Sequence, residues 1–193
     1  MHDDSFDPVA VALDIAHRLE SLSVLYVIGG SLASSRHGEP RATLDVDFVA
    51  ALTPRTARAL AGDIHNEYYV DENAAVDAAR NAGSFNAVHL GSAIKVNFFV
   101  AGNDPFERER LNSRERVPVG ATGNDALWMD TAEHTILRKL EWYRRGGEVS
   151  DRQLRDVRAI VRIQRNSLDT SRLRHWAPQL GVSDLLEDVL GEQ

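Results

Sequence analysis

Cysteine is absent from this chain. That absence removes disulfides, thiolate zinc sites and cysteine nucleophiles, and it fits a reducing compartment. No apolar run approaches the roughly 20 residues that a membrane-spanning helix needs. The opening MHDDSFDP is acidic and has no apolar signal core, so secretion is not expected and a cytoplasmic location is. Seven histidines are scattered without an HExxH or HxH pattern, which argues against a histidine zinc site. GxSxG, the P-loop and the dinucleotide fingerprint GxGxxG are all missing, which disfavours a hydrolase elbow and the two commonest phosphate loops. No internal repeat or low-complexity segment is visible.

Positive charge is also short. The chain has 22 Lys and Arg against 29 Asp and Glu, a net charge of −7. Such a balance argues against a surface built to coat duplex DNA, because phosphate neutralisation needs basic side chains. The deficit is uneven, however. Residues 1–130 hold 11 basic and 19 acidic side chains, while 131–175 hold 11 and 6. Within the basic stretch, Arg155, Arg158, Arg162 and Arg165 fall on one helical stripe by their 3, 4, 3 spacing. The stripe reads as a solvated face, or as a surface for an RNA or an acidic partner.

At 193 residues with 43% hydrophobic and 26% charged side chains, the chain can bury a globular core. Asp7-Pro8 and Thr53-Pro54 each read as an N-cap followed by proline, opening helices to about Glu20 and His65. Val24 to Ile28 reads as a buried strand stopped by Gly29-Gly30, and Ser31 to Arg36 as a short helix. Leu44 to Phe48 alternates apolar and acidic positions, the pattern of a strand with two unlike faces. A helix is expected over 73–81. Phe85 to Leu90 and Ile94 to Val100 flank Gly91-Ser92 as a hairpin. The polar stretch from Asn103 to Arg116 gives no element. From Asp130 the pattern is helical: Asp130 with Glu133, and Ser150 with Gln153, have capping-box spacing, and further helices follow from Asp169 and Ser183. The expected class is therefore α+β, with a small mixed sheet and flanking helices over residues 1–129 and a helical half over 130–193 that completes a ligand cleft.

The chemistry concentrates at Leu44–Phe48. Successive strand side chains point to opposite faces, so Asp45 and Asp47 share one face while Leu44, Val46 and Phe48 cover the other. Two carboxylates so placed repel each other, and a divalent cation relieves this; magnesium takes one or two carboxylates plus phosphate oxygens. Taken alone, the triplet also fits two acids on a solvated sheet. Gly29-Gly30-Ser31, after one strand and before a short helix, lets backbone amides and a hydroxyl approach phosphate, though glycine pairs also make ordinary turns. The two elements in series are more specific than either alone.

The stretch VIGGSLASSRHGEPRATLDVDFVA resembles the opening of the polymerase-β-like minimal nucleotidyltransferase superfamily, in which a GS turn precedes a DxD strand. The later stretch AEHTILRKLEWYRRGGEVSDRQLRDV resembles the AbiEii/MenT-like branch, found in bacterial toxin–antitoxin and related systems. This resemblance implies transfer of a nucleoside monophosphate from a nucleoside triphosphate such as ATP to an acceptor hydroxyl on RNA or protein. It also raises a cognate toxin or antitoxin as partner. By the same resemblance, Asp45 and Asp47 bind magnesium, or manganese in its place. Gly29, Gly30 and Ser31 meet the phosphates, Lys139 and Asp156 complete the nucleotide pocket, and Arg41 is a further phosphate contact. Read from the residues alone, Lys139 is a helix flank and Asp156 an ordinary helical partner of Arg152. A DxD glycosyltransferase needs a larger nucleotide-sugar domain than this chain supplies.

One position departs from the family pattern. A third carboxylate is expected on a later strand, and the matching strand runs Ile94 to Val100. There Ile94, Val96, Phe98 and Val100 share one face and leave Lys95 and Asn97 on the other. Asn97 holds the expected place as an amide, which brings no charge and cannot act as a general base. Two readings stay open: an enzyme with a weaker second metal, or a nucleotide- or partner-binding module that has lost its chemistry. Lys95 reads as a phosphate contact or a surface lysine.

Overall fold

The computed structural model describes residues 7–120, 123 and 125–191. By internal contacts the chain divides into two compact units. The first holds residues up to Gly29 together with Thr43–Met129; the second holds Gly30–Ala42 and the chain from Asp130 onward. Residues 30–42, grouped with the first 129 by sequence alone, thus cluster with the later helices.

The first unit is built on a seven-stranded mixed sheet. Its strands are β1 (Tyr26–Ile28), β2 (Asp45–Ala50), β3 (Tyr68–Val70), β4 (Ser84–His89), β5 (Lys95–Val100), β6 (Glu115–Val119) and β7 (Asp125–Met129), in the order β3-β4-β5-β2-β1-β7-β6. The β2–β5 and β1–β7 pairs are parallel, and the other four are antiparallel. The core face is aromatic. Tyr26, Phe48, Phe98 and Phe85 lie in a row across four strands, with ring centroids 5.5, 5.8 and 4.6 Å apart.

Four helices belong to this unit: α1 (Pro8–Ser21), α3 (Pro54–Ile64), α4 (Glu72–Asn81) and α5 (Pro105–Asn112). The cap-plus-proline signals hold. The Asp7 carboxylate accepts from Val9 N at 2.9 Å, and Thr53 and Thr56 form a reciprocal capping box. In α1 the buried positions Val11, Ala12, Ile15, Ala16 and Leu19 recur at helical spacing.

Four elements were not foreseen: β3, α5, β6 and β7. Helix α5 reads PFERERLN, and its charged residues disguise a helix that buries Phe106 and Leu111 along with Glu107 and Arg110. Strand β6 contains Pro118, tolerated because β6 is the last strand of the sheet. The start of β2 also differs. Leu44, expected on the core face, is 70% exposed and precedes the first paired residue of the strand.

The second unit is helical: α2 (Gly30–His37), α6 (Ala132–Arg145), α7 (Asp151–Gln164), α8 (Thr170–Leu180) and α9 (Ser183–Gly191). Both capping boxes expected here are replaced by other arrangements. Helix α6 is capped by Thr131, whose hydroxyl accepts from His134 N, while Glu133 accepts from Asp169 N at 2.9 Å. Ser150 precedes α7 without a side-chain cap: the Gln153 N–H donates to the Ser150 carbonyl, and the Gln153 side chain accepts from Lys139. The arginine stripe on α7 is exposed, and Arg162 pairs with Glu39. Among the described residues no helix is long and apolar enough to cross a membrane.

Candidate active site

In the first unit, strand alternation sets the face. Val46 and Phe48 are fully buried, so Asp45 and Asp47 project the opposite way, Asp45 exposed and Asp47 half-buried. Further along the same face Val49 packs with Val27 and with Leu111 of α5. Helix α5 therefore covers the far end of β2, while the acidic end stays open.

The parallel partner β5 fixes what stands beside the acids. Its register sets Lys95 beside Asp45 and Asn97 beside Asp47, and on the next strand Asn86 stands beside Asn97. The Asn97 amide Nδ2 donates to Asp47 Oδ1 at 2.8 Å. This bond satisfies one oxygen of Asp47 and turns the amide's donor, not its oxygen, toward the carboxylate. The Asp45 carboxylate has no hydrogen bond or ion pair among the described residues. Gly29, buried at the end of β1, donates its backbone N–H to Asp47 O at 3.0 Å.

A separate polar cluster lies within the second unit. Gly30 has φ +59°, a left-handed conformation that glycine adopts without strain, and it opens α2. Ser31 follows in the first turn, and its hydroxyl accepts from Arg41 Nη2 at 2.6 Å. The same guanidinium nitrogen lies 3.2 Å from Asp156 Oδ2. Lys139 Nζ approaches that oxygen to 2.7 Å and also donates to Gln153 Oε1 at 3.2 Å.

Lys139 is therefore no helix flank: it is 6% exposed. Asp156 pairs with Lys139 and Arg41, which displaces the expected partnership with Arg152. Burial pulls the Lys139 ammonium below its ordinary pKa, against the attraction of Asp156. Burial alone would raise the Asp156 carboxyl, but the hydrogen bond and charge of Lys139, and then Arg41, outweigh it and hold the carboxyl below its usual value. Two cations against one carboxylate leave one positive charge beside the first turn of α2. Sequence reasoning missed two members. Ser34, one helical turn after Ser31, places its hydroxyl 3.4 Å from Asp156 Oδ2, with the Gly30 and Ser31 carbonyls as nearer acceptors at 3.0 and 3.1 Å, and Gln153 had been assigned to a cap.

No family model matches the chain, and no curated relative does. Solved structures do. An antigenic nucleotidyltransferase-like protein from Paracoccidioides brasiliensis superposes with a TM-score of 0.55 at 17% identity, over 98% of this chain and 93% of that one. The antibiotic-resistance factor ANT(2'')-Ia superposes with a TM-score of 0.58 at 14% identity, over 97% of this chain and all of that one. The fold is nucleotidyltransferase-like. At these identities the likeness concerns architecture: a mixed sheet followed by a helical half.

Proposed function

We propose that the chain is a magnesium-dependent nucleotidyltransferase of the AbiEii/MenT-like branch, moving a nucleoside monophosphate from a triphosphate to a hydroxyl of an RNA or protein acceptor. The observation that carries this reading is the pair Asp45 and Asp47 on one open sheet face, steadied by Asn97. Among the described residues no group of three or more His, Cys, Asp or Glu side chains could hold a metal ion. Two carboxylates suit magnesium, which keeps water and phosphate ligands rather than needing a full protein cage. Held by Asp45 and Asp47, the ion would supply neutralisation of phosphate charge.

The chain's own residues have separate tasks in this reading. Asn97 orients Asp47 through Oδ1 and leaves its other oxygen for the ion. The acceptor oxygen forms a bond to the α-phosphorus as the α–β bridging P–O bond breaks and pyrophosphate leaves. Asn97 cannot take the acceptor's proton, which passes to water. The resemblance assigns Gly29, Gly30, Ser31, Arg41, Lys139 and Asp156 to the nucleotide, and the surplus positive charge beside Ser31 suits an anionic phosphate. A cognate toxin or antitoxin is the partner this branch implies.

The test is transfer of label from α-labelled nucleoside triphosphates into cell extract. Magnesium-dependent transfer is expected from the unaltered chain and none from Asp45→Asn/Asp47→Asn. Measurable nucleotide binding without transfer to any acceptor would falsify the enzyme reading. The Asn97 amide favours a second reading, a nucleotide- or partner-binding module of the same fold. In that case Asn97→Asp creates or strongly raises turnover with partner binding unchanged, and equal activity in both forms sinks it.

A further inference from the structure

We infer that this is a one-cation site in which the Lys95 ammonium takes the place of a second positive ion and contacts the triphosphate. The inference rests on the proposed function and adds a residue and an ion count to it. Lys95 is the register partner of Asp45, on the same face as Asp45, Asp47 and Asn97, about 5 Å away between strand backbones. It is exposed, and it has no ion-pair partner among the described residues.

The charge on this face decides the argument. Asp45 and Asp47 bring two negative charges, Asn97 and Asn86 bring none, and Lys95 returns one positive. A face with a net charge of −1 accommodates one divalent ion; a second would meet the ammonium and a neutral amide rather than a carboxylate. One N–H of the Asn97 amide is held by Asp47, and its oxygen offers a second ion a neutral ligand only. A flexible lysine at the open end of the strand is well suited to meet a phosphate as a point charge.

The experiment titrates manganese into the full chain, followed by the spin resonance of the free ion, with and without ATP. The unaltered chain, Lys95→Met and Lys95→Arg are compared. We expect one manganese per unaltered chain. Without ATP, Lys95→Met should bind manganese about three- to tenfold tighter, since a like charge has been removed. The same variant should bind ATP about tenfold weaker, and Lys95→Arg should restore both values. A structural role would not move cation and anion affinities in opposite directions. One tightly bound manganese that ignores Lys95, or two per unaltered chain, overturns this inference and leaves the proposed function standing. No manganese bound by the unaltered chain, with or without ATP, overturns both.

Discussion

Replacing Asp156 with leucine strands Lys139 in a site where 8% of the lysine side chain is exposed, with Gln153 its remaining partner. Removing one member of a buried ion pair costs about 3–5 kcal/mol, because the surviving charge stays desolvated. The reverse change, Lys139→Met, is milder at about 1–2 kcal/mol, since Arg41 still reaches Asp156 at 3.2 Å. The double variant Lys139→Met/Asp156→Leu removes the charges of the pair and fills similar volume, and Arg41, with 27% of its side chain exposed, keeps Ser31 and water, so it should return to within about 1 kcal/mol of the parent. The coupling between the two sites is then at least about 3 kcal/mol. Urea unfolding followed by tryptophan fluorescence measures it, and Trp176 of α8, buried in the same unit, is the reporter. The pH dependence has a fixed sign. Because the folded Asp156 carboxyl lies below its unfolded value, its stabilisation is complete above the ordinary carboxyl range. It is lost as pH falls through the folded value, so the parent's advantage over Asp156→Asn shrinks in acid. The reasoning fails if Asp156→Leu costs under about 0.5 kcal/mol, or if the double variant costs the sum of the two singles. Nucleotide transfer should stay lost in the double variant even with stability restored, which separates the pair's structural contribution from its proposed role.

Phe98→Ala should destabilise the first unit by about 3–5 kcal/mol, measurable by thermal unfolding, because Phe98 is fully buried between Phe48 and Phe85; a loss under 1 kcal/mol would refute the stacked core. Gly38→Ala should cost the second unit about 1–3 kcal/mol. Its new methyl would meet Ile160 Cγ1 at 3.0 Å and the backbone atoms Ser34 O and Ile160 N at 3.1 and 3.2 Å. An unchanged urea midpoint would show that Ile160 and the Ser34 backbone yield freely.

Local pattern makes a good part of this protein readable from its sequence. Alternation along Asp45-Val46-Asp47-Phe48 was enough to put both acids on one face, because the pleat has a period of two whatever the strand pairs with. Proline after Asp7 and Thr53 marked two helix starts for an equally local reason, the fixed φ and the missing N–H. Burial and pairing were another matter, since both depend on residues distant in sequence. Nothing near Lys139 announces that α7 brings Asp156 to within 2.7 Å, and nothing near Glu133 shows that it reaches Asp169 instead of closing a capping box. Leu44 looked like core and is exposed, because pairing begins one residue later. The strands β3, β6 and β7 escaped notice since short or proline-bearing segments become strands only when a neighbouring edge supplies hydrogen bonds. The sequence alone thus determined which side chains face together. Only tertiary structure decided that Asn97 donates to Asp47 and that Lys95 stands beside Asp45, since the register of two strands about fifty residues apart is settled by packing of the whole sheet.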